Sequence, residues 1–138
     1  MGGATSIVHF LARYAPEVRL TGLCDEREER LFLRALERAG RDDIACFVCH
    51  ADLEDELIRA LGPEAVQAVI DAARETASWQ RMRKQPAQLG RPIEHQLRRF
   101  MGTRSGRKER YATLLVAALD VDAVPRPLVD ALAHALAA

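Results

Sequence analysis

Apolar residues recur at helical spacing through most of the chain, and two short stretches break that rhythm. Ile7, Phe10, Leu11 and Tyr14 follow i, i+3, i+4, i+7 and predict a first helix after the Gly2-Gly3 turn, capped by Thr5 or Ser6. The short run Val18 to Cys24 and the apolar run Ile44 to Cys49, the latter rich in β-formers, predict two buried strands. Each runs directly into an acidic helix start. The helix from Asp25 turns Phe32, Ala35, Leu36 and Ala39 inward until Gly40, and the helix from Asp52 carries Leu53, Leu57, Ala60 and Leu61 on one face.

The remainder reads as helical. Gly62-Pro63 ends one helix and opens another, with proline at its first position, whose face of Val66, Val69, Ile70 and Ala73 continues toward Trp79 and Met82. After a break over 85–92, Ile93, Leu97, Phe100 and Met101 mark a further helix; Tyr111, Leu114, Leu115 and Ala118 mark the next; Leu128, Ala131, Leu132 and Leu136 mark the last. Strand followed by helix, twice, argues for an α/β fold with a short parallel sheet and a helical C-terminal part. The expected division is an α/β core over residues 1–85 and a helical part of the same domain over 86–138. Two parallel strands alone make a poor sheet, because such strands are normally flanked by others. A first strand is therefore expected to be missing, or supplied by a partner chain in a homodimer that completes the sheet edge.

Composition places this pattern in the class of ordinary globular domains. The 138 residues are 49% hydrophobic and 29% charged, which excludes disordered and collagen-like chains. No apolar run reaches the roughly 18–20 residues that span a bilayer, and no signal peptide opens the chain, so a cytoplasmic protein without membrane contact is expected. Cys24, Cys46 and Cys49, odd in number and set in apolar runs, read as reduced core thiols.

The formal net charge of zero conceals an asymmetry. Residues 1–80 hold 15 acidic and 9 basic side chains, whereas residues 81–110 hold 10 basic side chains against Glu94 and Glu109. The basic stripe suits a phosphate track and equally suits a solvated helical surface. In an open α/β sheet, sites lie at the carboxyl ends of the strands. Here those ends carry Asp25-Glu26-Arg27-Glu28-Glu29 and Asp52-Leu53-Glu54-Asp55-Glu56. Paired carboxylates there can hold a hard divalent cation, or can serve as helix caps, Asp25 with Glu28 forming a D-x-x-E box. Lys108 falls in the first turn of its helix, where a cation opposes the helix dipole, and such local conflicts mark positions to examine. Cys46-x-x-Cys49-His50 lies within a strand, whose alternate residues face opposite sides, and reads as core packing.

Taken in series, four segments resemble a known family. They are Met1-Gly2-Gly3-Ala4-Thr5; Leu20-Thr21-Gly22-Leu23-Cys24-Asp25; Phe47-Val48-Cys49-His50-Ala51-Asp52-Leu53-Glu54-Asp55-Glu56-Leu57; and Gln96-Leu97-Arg98-Arg99-Phe100-Met101-Gly102-Thr103-Arg104-Ser105-Gly106-Arg107-Lys108. In this order they are similar to the Toprim domain at the C-terminal end of OLD-family ATP-dependent nucleases, especially those described as Toprim nucleotidyl transferase/hydrolase domains. The resemblance implies an incomplete Toprim-like Rossmannoid and a metal-dependent DNA phosphodiester hydrolase, an endonuclease using Mg²⁺ or Mn²⁺.

Carried over by position, Asp25 matches the first acid of the family's D-x-D motif, Glu54 a further acidic ligand, and Lys108 the basic residue that stabilises charge on the phosphate. Asp52 and Glu28 complete the implied metal set, with Glu26 or Glu28 standing in where Arg27 replaces the second acid. Arg98, Arg99, Arg104 and Arg107 are the expected nucleic-acid contacts. The family's E-G-x-x-D motif and first strand precede the Met-Gly-Gly turn, and its ATPase domain is separate. The resemblance therefore implies weak or absent turnover by this chain. The alternative is a non-catalytic Toprim-derived module that binds DNA or assembles through residues 81–110.

Overall fold

In a computed structural model, residues 6–104 and 106–137 are described; Gly2, Gly3, Thr5 and Ser105 lie outside them. The two short runs form strands β1 (Thr21–Asp25) and β2 (Ala45–Cys49), paired in parallel with Thr21 opposite Ala45 and Asp25 opposite Cys49. The helices among the described residues are α1 (Ile7–Leu11), α2 (Glu29–Arg38), α3 (Leu53–Leu61), α4 (Pro63–Ala72), α5 (Thr76–Arg83), α6 (Ile93–Met101), α7 (Arg107–Ala118) and α8 (Arg126–Leu136). The protein is α/β with a two-stranded parallel sheet. No helix among the described residues is long and apolar enough to cross a membrane. The chain divides into two compact units, residues 1–53 with 125–138, and residues 54–124.

The first unit is a small sheet covered on both faces. Successive strand residues point to opposite sides. On one side a Cβ built at Gly22 would lie 2.7 Å from the Phe32 ring of α2, so any larger residue there would have to push that buried ring aside. On the other side Thr21 Oγ1 meets His134 Nδ1 of α8 at 2.9 Å, and the Phe47 and His134 rings are 5.8 Å apart. Helix α8 packs along both strands, a return of the chain that spacing along the sequence could not reveal. Ile7, Leu11, Cys24, Phe32, Leu36 and Ile44 form the core on the α2 side. Tyr14, expected on that inward face, is 40% exposed because α1 ends at Leu11. Beyond α2, Gly40 takes a left-handed φ of +62°, and Arg41 grips Asp43 through two nitrogens while donating to the Val18 carbonyl. Those hydrogen bonds from the Arg41 guanidinium hold the Asp43 carboxyl below its usual range.

The Sγ atoms of Cys24 and Cys46 lie 3.1 Å apart on the α2 side. Cys46 stands opposite Gly22, two residues from the partner of Cys24, so strand spacings put the two Cα atoms about 8 Å apart. A disulfide spans less than about 7 Å. Burial pushes both thiols above their ordinary range, that of Cys24 further through its contact with Cys46, so the pair packs as neutral thiols.

In the second unit α4 packs against α5, α6 and α7. Its buried side chains include Leu57, Ile58, Val66, Ile70, Trp79, Leu97, Phe100, Met101, Tyr111 and Leu115. Trp79 and Phe100 meet edge to face at 5.5 Å, and Phe100 and Tyr111 at 6.0 Å. The helix expected to run from Pro63 through Met82 is two helices. Arg74 adopts a left-handed φ of +59°, the Glu75 amide donates back to the Ile70 carbonyl, and the chain turns before α5 begins. No glycine signals this break, which is why periodicity ran through it. The turn carries Glu75, and that residue organises the start of α7.

Candidate nucleic-acid interface

Helix α7 opens with two cations, Arg107 and Lys108, after Gly106 in the left-handed conformation. Cations at a helix N-terminus oppose its dipole. Each is answered by a carboxylate brought from another part of the second unit. The Arg107 guanidinium is 5% exposed and lies 3.2 Å from Glu75 Oε2. It also donates to Thr103 Oγ1 at 2.7 Å and to the Phe100 carbonyl, and it covers the Phe100 ring at 4.1 Å. Tyr111 donates its hydroxyl to Glu75 Oε2 at 2.9 Å. Burial acts to raise the Glu75 pKa, but the tyrosine hydroxyl and the neighbouring guanidinium outweigh it and hold the carboxyl below its ordinary range. The Tyr111 hydroxyl is pushed up by burial and by the carboxylate it donates to.

Lys108 Nζ lies 3.2 Å from Glu54 Oε2, a contact across 54 positions of sequence between α7 and the first turn of α3. The Glu54 side chain is 6% exposed, and its Oε2 has this charge contact but no hydrogen bond among the described residues. The structure thus brings together Glu54 and Lys108. The other proposed ligands, Asp25, Glu28 and Asp52, belong to the first unit. Asp25 Oδ1 accepts the backbone N–H groups of Arg27 and Glu28 at 2.9 and 2.8 Å, closing the turn from β1 into α2. Glu26, the expected stand-in for a missing acid, meets His50 Nδ1 at 2.6 Å. Asp52 precedes α3 in the turn where Ala51 takes a left-handed φ of +62°.

Among the described residues no three His, Cys, Asp or Glu side chains gather at metal-holding distance. One Asp25 oxygen is committed to two amides and Glu54 to an ammonium.

The basic stripe has a different geometry. Arg81 and Arg83 fall in the last turn of α5, and Arg98 and Arg99 in that of α6, where cations complement the helix dipole. Arg81, Arg99, Arg104 and Arg107 line a recess of about 290 Å³ together with Ser78, Met82, Gln85, Gln88 and Phe100, and no carboxylate lines it. Arg81, Arg99 and Arg104 are exposed. Arg98 is half-buried beside them on α6. Arg107, expected to reach nucleic acid, is instead locked by Glu75, Thr103 and Phe100 and forms a fixed wall. Sequence reasoning missed Glu75 and Gln88. The signal available for Glu75 was the uncompensated pair of cations at the start of α7, which demanded a buried acid; Gln88 carried none.

No family model, no curated protein and no solved structure matches the chain.

Proposed function

We propose that this chain is a non-catalytic DNA-binding module of the Toprim-derived kind its motifs resemble, and that it holds the phosphate backbone through the basic residues 81–110. The observation that carries the reading is the recess with four arginines and no acid in its lining. A phosphodiester brought against exposed guanidinia gains charge-assisted hydrogen bonds and releases counterions, which makes the affinity steeply salt-dependent.

Fluorescence anisotropy with labelled single strands and duplexes across a salt series tests this. The expected result is salt-sensitive binding that the combined variant Arg81→Ala, Arg99→Ala, Arg104→Ala weakens by about a hundredfold or more at low salt. The same variant lowers the slope of log affinity against log salt by about two. Asp25→Ala is expected to bind as the wild type does, since its carboxylate closes a turn in the first unit. Binding that is insensitive to salt, or that survives the triple substitution, overturns the reading.

The second reading, a Toprim-type hydrolase, is favoured by one observation: Glu54 and Lys108, both singled out by the resemblance, lie 3.2 Å apart. Nicking of supercoiled plasmid in Mg²⁺ or Mn²⁺ that disappears in both Asp25→Ala and Glu54→Ala would support it. An intact plasmid leaves the binding module as the better account.

A further inference from the structure

The cations of the basic stripe do not all follow one helix. Arg81 belongs to α5, Arg99 to α6 and Arg104 to the turn before α7, and all three come to one recess beside the fixed Arg107. Elsewhere in the chain arginines meet carboxylates, as Arg41 does with Asp43, Arg59 with Asp55 and Arg107 with Glu75. Arg81, Arg99 and Arg104 make no side-chain hydrogen bond or ion pair among the described residues, and no acid lines the recess they share. Like charges gathered without a counter-charge repel, and an anion bound among them removes that repulsion. Arg107 Nη2 lies 3.4 Å from Ser78 Oγ in the same lining, which leaves the serine proton for a further acceptor.

We propose that the recess is a site for the terminal phosphate monoester of a nucleic-acid strand. This rests on the DNA-binding reading above and narrows it from the backbone at large to a strand end. Charge favours the terminal group. A phosphate monoester carries about −1.5 to −2 at neutral pH and three acceptor oxygens, whereas an internal phosphodiester carries a single charge. Guanidinia arriving from three elements suit oxygens that point in several directions, and each guanidinium can hold two of them side by side. Shape favours it as well. An internal phosphate continues into the chain on both sides and lies along the outside of the strand, whereas a terminal one has a single attachment and can enter a concavity. The volume of about 290 Å³ equals that of about ten water molecules, room for a phosphate and the sugar that carries it.

Anisotropy titrations with an internally labelled single strand would compare a 5′-phosphate, a 3′-phosphate and hydroxyls at both ends. A terminal phosphate at one end or the other is expected to tighten binding about tenfold or more. Arg99→Ala and Arg104→Ala, both at exposed positions, are expected to melt at the wild-type temperature and to lose most of that difference. Arg99→Lys, which keeps the charge and gives up the paired hydrogen bonds, is expected to keep the salt dependence and lose part of the preference. Arg91→Ala, in the same basic stretch but outside the recess lining, is expected to leave the preference unchanged. Inorganic phosphate, added as a competitor, is expected to displace the phosphorylated strand only at far higher concentration than an unlabelled copy of that strand. Equal binding of phosphorylated and hydroxyl strands, or a preference that survives both Arg99→Ala and Arg104→Ala, overturns the inference and leaves the phosphate-binding reading intact. Inorganic phosphate that competes as well as the unlabelled strand makes the free ion the ligand and overturns the assignment to a strand end. Absence of salt-dependent binding to every strand overturns the DNA-binding reading and this one with it.

Discussion

Replacing Glu75 with alanine is expected to cost the second unit about 3 kcal/mol, read as a lowered urea midpoint. Removing one member of a buried ion pair costs roughly 3–5 kcal/mol because the other charge stays buried and uncompensated. The low end applies because the Glu75 side chain keeps 19% of its exposure and water can partly replace it. Arg107, at 5%, has no such access, and Tyr111 loses its acceptor in the same step. If the cost comes from the stranded guanidinium, adding Arg107→Met should restore part of the stability, since an apolar side chain of similar length needs no partner over Phe100. A double variant as unstable as the single one would place the loss in packing instead. Acid should act on the same pair. The Glu75 carboxyl titrates lower in the folded protein than in the unfolded chain, so its contribution is present above the unfolded value of about 4.3 and is lost as pH falls through the folded value. Wild-type protein should therefore lose stability more steeply below about pH 4.5 than Glu75→Gln does.

Trp79→Ala is expected to be the most damaging single core substitution, at about 3–5 kcal/mol against a typical total of roughly 5–15 kcal/mol. The indole is 1% exposed, meets Phe100 edge to face, receives the Arg83 guanidinium at 5.4 Å from its ring and donates from Nε1 to Gln67 at 3.3 Å. Truncation leaves a void that α4, α5 and α6 would have to close together. Trp79→Phe, which keeps an aromatic face for Phe100 and gives up the Gln67 hydrogen bond, should retain more than half of the lost stability. Chemical denaturation of the two variants checks this, and a cost below about 1 kcal/mol for Trp79→Ala would contradict its place at the centre of the second unit.

The periodic positions that predicted helices are the ones the structure buries. Phe32 and Leu36 on α2, Val66 and Ile70 on α4, and Leu97, Phe100 and Met101 on α6 all turn inward, because side-chain spacing and burial are the same physical constraint. The two short runs likewise became the two strands. What periodicity cannot carry is long-range placement. Leu128 and Ala131 announce an amphipathic helix, but nothing in their spacing says that α8 returns to cover β1 and β2.

The charged residues illustrate the same limit. Arg104 and Arg107 look alike in the sequence, yet one is exposed and the other is sealed between Glu75 and Phe100. Only the turn at Arg74, made without glycine, decides that difference, by carrying Glu75 to the start of α7. The conflict at Lys108 was legible, and so was the acid cluster containing Glu54. Their meeting required the folded path of α3 and α7.

The late return of α8 also sets a schedule for the chain as it leaves the ribosome. Strands β1 and β2 are complete once Cys49 has emerged, but the helix that covers one face of their sheet ends at Leu136. At about 5–20 residues per second, that face stays open for several seconds while residues 54–124 are made. Those intervening residues carry their own buried aromatic cluster and can condense during the wait. The first half of the first unit is thus held in an unfinished state by its own connectivity.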